Sequence, residues 1–223
     1  MSKKIILHLC ADTGSDSKPY QDDPNYDVRL IGSKIGVENY HVSEPIYGII
    51  ANPVCLEFST ARSNGKARNP EEGMFLVKEC KRIIAEALIF GNPKFWVIEN
   101  PARGVLREYL GEPRFTYQPW EYGSPWTKHT ALWGHFNIPP KLFTKWENVP
   151  KNDKLYTRPG RGKPSLAFMH ARTHMKHILE FAPFLDEVIS LPARDRVNGG
   201  GGDMEFRSLC SQKFANEFKK YNQ

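Results

Sequence analysis

The strongest constraint on this chain is a series of short apolar runs, each stopped by glycine, proline or a polar loop, interrupted by one long amphipathic stretch. Lys4–Leu9, Tyr26–Ile31, Tyr47–Ala51 and Phe95–Ile98 have the length and composition of strands and are too short for helices. Between the third and fourth, Asn69-Pro70-Glu71-Glu72 opens a helix. Asn69 suits the cap, Pro70 the first helical position, and Glu72 the place of a capping-box acid. Met74, Val77, Ile84 and Leu88 then follow one face, with Leu76, Cys80, Ile83 and Ala87 beside it, until Gly91-Asn92-Pro93 ends the helix. Strands alternating with helices predict an α/β sheet covered on both faces. In such sheets ligands gather at the carboxyl ends of the strands.

The remaining elements are shorter. The pattern predicts a small helix at Gly104–Leu110, strands at Phe115–Gln118, Thr130–Trp133 and Ser165–Met169, and a short helix at Thr173–Glu180. Residues 137–164 are irregular and basic. Four consecutive glycines between Asn198 and Asp203 suggest a mobile loop. Ser208–Tyr221 reads as a closing amphipathic helix, with Cys210, Phe214 and Phe218 on one face. The organisation expected is a core at 1–136, a small basic lobe at 137–205, and a terminal helix at 206–223 that returns to the core.

Charge is unevenly placed. Residues 1–100 carry a net −1 and residues 101–223 a net +7. Residues 141–176 hold nine lysines and arginines against Glu147 and Asp153. Such a segment suits either a polyanion or a solvated loop surface. Lys3 and Lys4 precede only a short apolar stretch, which reads as a first strand and not as a signal peptide, and no run is long enough for a membrane span. The four cysteines, Cys10, Cys55, Cys80 and Cys210, are scattered, which argues against structural zinc and against a disulfide scaffold. A cytoplasmic setting is expected.

Three groups stand just beyond strand ends: the Asp12–Ser17 loop, Cys55, and Glu99-Asn100-Pro101. Taken alone, a cysteine is more often a small buried residue, and Glu-Asn-Pro more often a turn. Together the thiol and the carboxylate are the pair that activation of a pyrimidine ring would need. A thiolate adds at carbon-6, carbon-5 becomes nucleophilic, and a carboxyl group bonded to the ring nitrogen and exocyclic amine stabilises the developing charge. His170, His174 and His177 have helical spacing but no evident carboxylate partner, so no metal site is expected. The aromatic residues Phe115, Tyr117, Trp120, Tyr122, Trp126 and Trp133 suit core packing or base stacking.

The flanks of the pair resemble the DNA cytosine carbon-5 methyltransferases, and are close to short bacteriophage members. Asn52-Pro53-Val54-Cys55-Leu56-Glu57-Phe58-Ser59 looks like the family's Pro-Pro-Cys-Gln-x-Phe-Ser, and Glu99-Asn100-Pro101 its Glu-Asn-Val. Leu7–Ser17 is similar to its first strand and glycine loop, and Arg207–Phe218 to its closing helix. The resemblance implies a Rossmann-like class I methyltransferase sheet with a reduced basic C-terminal lobe. It implies an S-adenosylmethionine-dependent transferase acting on DNA or a deoxycytidine nucleotide, with Cys55 as nucleophile and Glu99 as ring-binding acid. Cys10, Asp12, Gly14, Ser15, Gly32, Glu38 and Asn52 would then lie at the cofactor. Pro53, Ser59, Asn100, Thr127 and His129 would lie at the substrate. The chain departs from the family where Asp12-Thr13-Gly14 replaces Gly-x-Gly, where Gly32 stands in place of a ribose-binding acid, and where Thr127 and His129 replace two arginines. The short lobe is compatible with a protein partner or an oligomer. Two alternatives remain: a pyrimidine-modifying enzyme with another donor, and a degenerate nucleic-acid-binding or anti-restriction protein.

Overall fold

A computed structural model describes residues 2–11, 13–58, 69–169, 174, 176, 177 and 207–223. Six strands form one sheet: β1 Lys4–Leu9, β2 Tyr26–Ile31, β3 Gly48–Ala51, β4 Phe95–Pro101, β5 Phe115–Tyr117 and β6 Thr130–His135. The spatial order is β2-β1-β3-β4-β6-β5. The first four strands run parallel, and β6 pairs antiparallel with both β4 and β5. Among the described residues, four α-helices are fully placed: α1 Lys18–Gln21, α2 Pro70–Phe90, α3 Arg107–Leu110 and α4 Gln212–Tyr221. The α/β class and the two covered faces are as the sequence predicts, and the mixed sheet is compatible with a Rossmann-like fold.

Alternation along the strands sends side chains to opposite faces. Leu7, Leu9, Ile49, Ala51 and Ile98 pack with Val77, Cys80, Ile83, Ile84 and Ala87 of α2. Ile6, Ile50, Phe95, Val97 and Leu132 pack on the other face with Phe214, Ala215 and Phe218 of α4. Phe214 stacks on Tyr117 with ring centroids 3.8 Å apart, and Phe218 meets Phe95 edge-on at 5.4 Å. Each such ring contributes about 1.5–3 kcal/mol by burial, so α4 is part of the core although it comes last in the chain.

Helix α2 begins where predicted. The Asn69 side chain accepts a hydrogen bond from the Glu72 amide at 3.2 Å, Pro70 opens the helix, and Gly91 closes it. Several boundaries differ from expectation. Strand β3 starts at Gly48, β5 ends at Tyr117 and β6 runs on to His135. Strand β4 runs on to Pro101, because β6 pairs with Glu99, Asn100 and Pro101, so these residues lie within the strand and not beyond it. The closing helix starts at Gln212 instead of Ser208, because Ser211 is its cap and accepts from the Phe214 amide. The Gly104–Leu110 helix is reduced to its last turn, since Gly104 instead donates to Pro101 in a turn. Ser165–Met169 is not a strand. It is a 3-10 turn at Leu166–Phe168 whose β-pairing among the described residues is one isolated bridge, Thr127 to Ser165. The described part of 137–205 is irregular, with 3-10 turns at Trp146–Asn148 and Leu166–Phe168. The glycine run, His170 and most of Thr173–Glu180 lie outside the described residues. Tyr117, Tyr122, Trp126 and Trp133 are buried in the core, whereas Phe115 and Trp120 are partly exposed. Among the described residues, no helix is long and apolar enough to cross a membrane.

Candidate active site

Register brings the two motifs together. Ala51 of β3 pairs with Ile98 of β4, so the next residues, Asn52 just past β3 and Glu99 within β4, stand side by side. Asn52 donates through Nδ2 to Glu99 Oε2 at 3.1 Å. The same amide lies 3.4 Å from Asp16 Oδ1. One residue farther, Asn100 Nδ2 donates to the Pro53 carbonyl at 2.9 Å, with Asn100 wholly buried. The carboxyl end of β4, which contains Glu99, Asn100 and Pro101, therefore holds the backbone of the cysteine turn directly. Beyond Cys55, its carbonyl accepts from the Phe58 amide at 3.0 Å, and the Phe58 ring is buried in the core.

His8 supports this arrangement from β1. Its Nε2 meets Asn52 Oδ1 at 2.8 Å and its Nδ1 meets Ser17 Oγ at 2.7 Å. Asn52 Oδ1 can only accept, so Nε2 donates and Nδ1 takes the Ser17 hydroxyl proton. Both bonds are satisfied by a neutral ring, and burial lowers the His8 pKa accordingly. His8 is thus a fixed neutral strut that orients the Asn52 amide toward the two carboxylates.

Lys128 is the cation of the site. Its Nζ lies 3.8 Å from Glu99 Oε1 and donates to the carbonyls of Ser208 at 2.8 Å and Leu209 at 3.3 Å. Burial opposes its charge, but the carboxylates of Glu99 and Asp16 outweigh it, and the Lys128 pKa is raised. Burial is also the largest influence on Glu99. Asp16 adds to it, Lys128 and Asn52 oppose it, and the carboxyl pKa is raised. Glu99 Oε1 is buried and has no hydrogen-bond partner. The partly buried Cys55 thiol is pushed up by burial and by Glu99, and is held back by Lys128. These mutual influences place the thiol, the carboxyl and the ammonium in one electrostatic group.

The expected cofactor residues are dispersed around this group. Gly14 adopts the left-handed conformation, φ 65°, at the turn after β1, where a side chain would also crowd Gln21 and Leu30. Ser15 is buried, and its hydroxyl accepts from the Cys210 amide at 3.1 Å, which ties the first loop to the segment before α4. Cys10 turns toward α2, with its sulfur 3.9 Å from that of Cys80. Gly32 forms a turn after β2 by accepting from Ile35 and Gly36. Glu38 is exposed in a 3-10 turn packed against α2. Asp12 and Ser59 lie outside the described residues. At the other side, the Thr127 hydroxyl donates to the Pro164 carbonyl at 3.0 Å, and the His129 carbonyl accepts from Ala102.

Attention to Thr127 and His129 missed Lys128 between them. Parity was the available signal: Leu132 of β6 pairs with Glu99, and counting back by twos through Thr130 reaches Lys128. Asp16 and His8 were also missed, because their roles depend on which strands become neighbours. Searches of protein-family models and of curated proteins find no match to this chain.

The described residues do not complete a site for S-adenosylmethionine. No carboxylate stands at the end of β2, where Gly32 and Ser33 lie, and Glu38 projects into solvent. The Ser15 hydroxyl and the Cys10 thiol already have partners within the protein. Among the described residues, no group of three or more His, Cys, Asp and Glu is arranged to hold a metal ion.

Proposed function

We propose that this chain activates the cytosine ring for substitution at carbon-5, as a transferase of the cytosine methyltransferase kind acting on DNA or a deoxycytidine nucleotide. The observation that carries the reading is the direct bond from Asn100 to the Pro53 carbonyl, which locks the cysteine turn to the strand that presents Glu99. Cys55 is the nucleophile. Its raised pKa means that it rests as a thiol and loses its proton as the ring binds. The raised pKa of Glu99 suits the acid role, because ring nitrogen-3 of cytosine accepts a hydrogen bond and needs a protonated carboxyl as donor. The second carboxyl oxygen accepts from the exocyclic amine. Lys128 stabilises the thiolate and the negative charge that spreads over the ring after addition.

Addition at carbon-6 makes carbon-5 electron-rich. Carbon-5 then takes an electrophile, loses its own proton, and expels the Cys55 thiolate as the ring double bond re-forms. S-adenosylmethionine is the donor implied by the resemblance to the cytosine methyltransferases. The absence of a ribose-binding acid at the described end of β2 favours a second reading, in which the electrophile comes from another donor.

Ring activation can be tested without knowing the donor. Addition of Cys55 allows carbon-5 to exchange its hydrogen with water. The protein is therefore expected to release tritium from carbon-5 of deoxycytidine in DNA or nucleotide, and Cys55→Ala to release none. Absence of release from both substrates by the unaltered protein refutes the assignment. Mass spectrometry of the product then identifies the added group, and calorimetry with S-adenosylmethionine tests the implied donor.

A further inference from the structure

The basic segment carries an indole pair that ring activation does not use. Trp120, in the 3-10 turn Pro119–Tyr122, and Trp146, in the turn Trp146–Asn148, are partly exposed and meet edge to face at 6.2 Å and 89°. The Lys163 ammonium lies 4.4 Å from the Trp120 centroid and 5.4 Å from that of Trp146. Lys151 covers Trp146 at 4.1 Å and donates to the Val149 and Trp146 carbonyls. Lys163 has no carboxylate partner among the described residues. Lys145, Lys154, Arg158 and Arg161 are exposed in the same segment.

Two backbone connections join this cluster to the candidate active site. Lys163 precedes Pro164, whose carbonyl accepts from both the amide and the hydroxyl of Thr127, the neighbour of Lys128. Trp120 follows two residues after Gln118, whose side chain accepts from the Lys128 amide at 3.1 Å. A cluster serving only to bury apolar surface has no need of partly exposed indoles beneath lysines that, among the described residues, lack acidic partners. Indole faces stack on any base, and ammonium groups resting on them can turn to a phosphate.

We infer that Trp120, Trp146, Lys151 and Lys163 form a docking platform for single-stranded polynucleotide, on which nucleotides flanking the reacting cytosine are held. This rests on the proposed function for the identity of the reacting base and adds the form of its substrate: an unpaired strand, in preference to a free nucleotide or an intact duplex. Recognition is independent of sequence, because the platform offers stacking faces and cations and reads no base edges.

The test uses the full chain carrying Cys55→Ala, so that binding is measured apart from chemistry. A short mixed-sequence single-stranded oligodeoxynucleotide is expected to quench tryptophan fluorescence, with affinity that falls as salt rises. Trp146→Leu is expected to weaken binding about 10-fold. Lys163→Gln is expected to lower the slope of log affinity against log salt by about 0.7, the value of one single-strand phosphate contact. Lys163 is at the surface, so this variant carries the test if Trp146→Leu fails to fold. Equal or tighter binding of the matching duplex overturns the inference, as does equal affinity for deoxycytidine monophosphate or unchanged binding by folded variants. Tritium release from the nucleotide without strand binding would overturn the platform alone. Strand binding without tritium release by the unaltered protein would overturn ring activation alone.

Discussion

Replacing Lys128 by methionine separates the electrostatic role of this residue from its structural one. The ammonium lies 3.8 Å from Glu99 Oε1, a separation at which opposite charges attract by about 4 kcal/mol at an effective dielectric of about 20. Burial of both groups offsets part of this, so the net loss falls at about 1.5–3 kcal/mol, and the Glu99 pKa moves further up. Glu99 already has a raised pKa in the folded state. A carboxyl of this kind favours folding fully below its unfolded-state pKa, and that contribution is lost as pH rises through the folded value. In Lys128→Met the folded value is higher, so the loss runs over a wider pH window and ends larger. The variant also loses the bonds to Ser208 and Leu209, but that cost does not depend on pH in this range. Thermal melting from pH 4 to pH 8 should therefore show a stability deficit that grows with pH, by about 4–10 °C across the range for a chain of this size. Carbon-13 titration of the Glu99 carboxyl should rise in parallel. A deficit that is constant with pH, together with an unmoved Glu99 titration, refutes the coupling.

Three further outcomes follow from the same geometry. Asn52→Ala removes the amide shared by Glu99 and Asp16 and leaves His8 Nε2 without its acceptor, so chemical denaturation should show a loss of about 1–3 kcal/mol. Cys55→Ala should abolish tritium release while leaving the circular dichroism spectrum and melting temperature nearly unchanged, since the thiol has no role in the core cluster. Phe218→Ala should cost about 3–5 kcal/mol in denaturant, because the ring packs against Phe95, Phe136 and Phe214, and any milder effect would show that α4 is not part of the core.

Much of the scaffold was legible because its signals are local. Asn69, Pro70 and Gly91 act through their own backbone, so the limits of α2 follow from a few neighbouring residues. The strands β1 and β2 have the bounds their apolar runs predict. Ser165–Met169 misled because its composition suits a strand while only Thr127 supplies a partner; an isolated bridge does not extend a ladder. The closing helix was placed too early because apolar periodicity runs through Leu209 and Cys210, whereas the backbone is held there by Ser15 and Lys128.

For the candidate site, the sequence alone placed the thiol of Cys55 and the loop before Ser17 past strand ends, whereas Glu99, expected beyond its strand, lies within β4 because β6 extends the ladder. The sequence could not determine their company. The pairing of β3 with β4 sets Asn52 beside Glu99, and the antiparallel entry of β6 brings Lys128 toward Glu99. Their charge states follow from burial and from neighbours dozens of residues away along the chain. Residue type is a local property of the chain, whereas strand order, register and the exclusion of water belong to the assembled sheet, and it is these that bring Cys55, Glu99 and Lys128 into one electrostatic group.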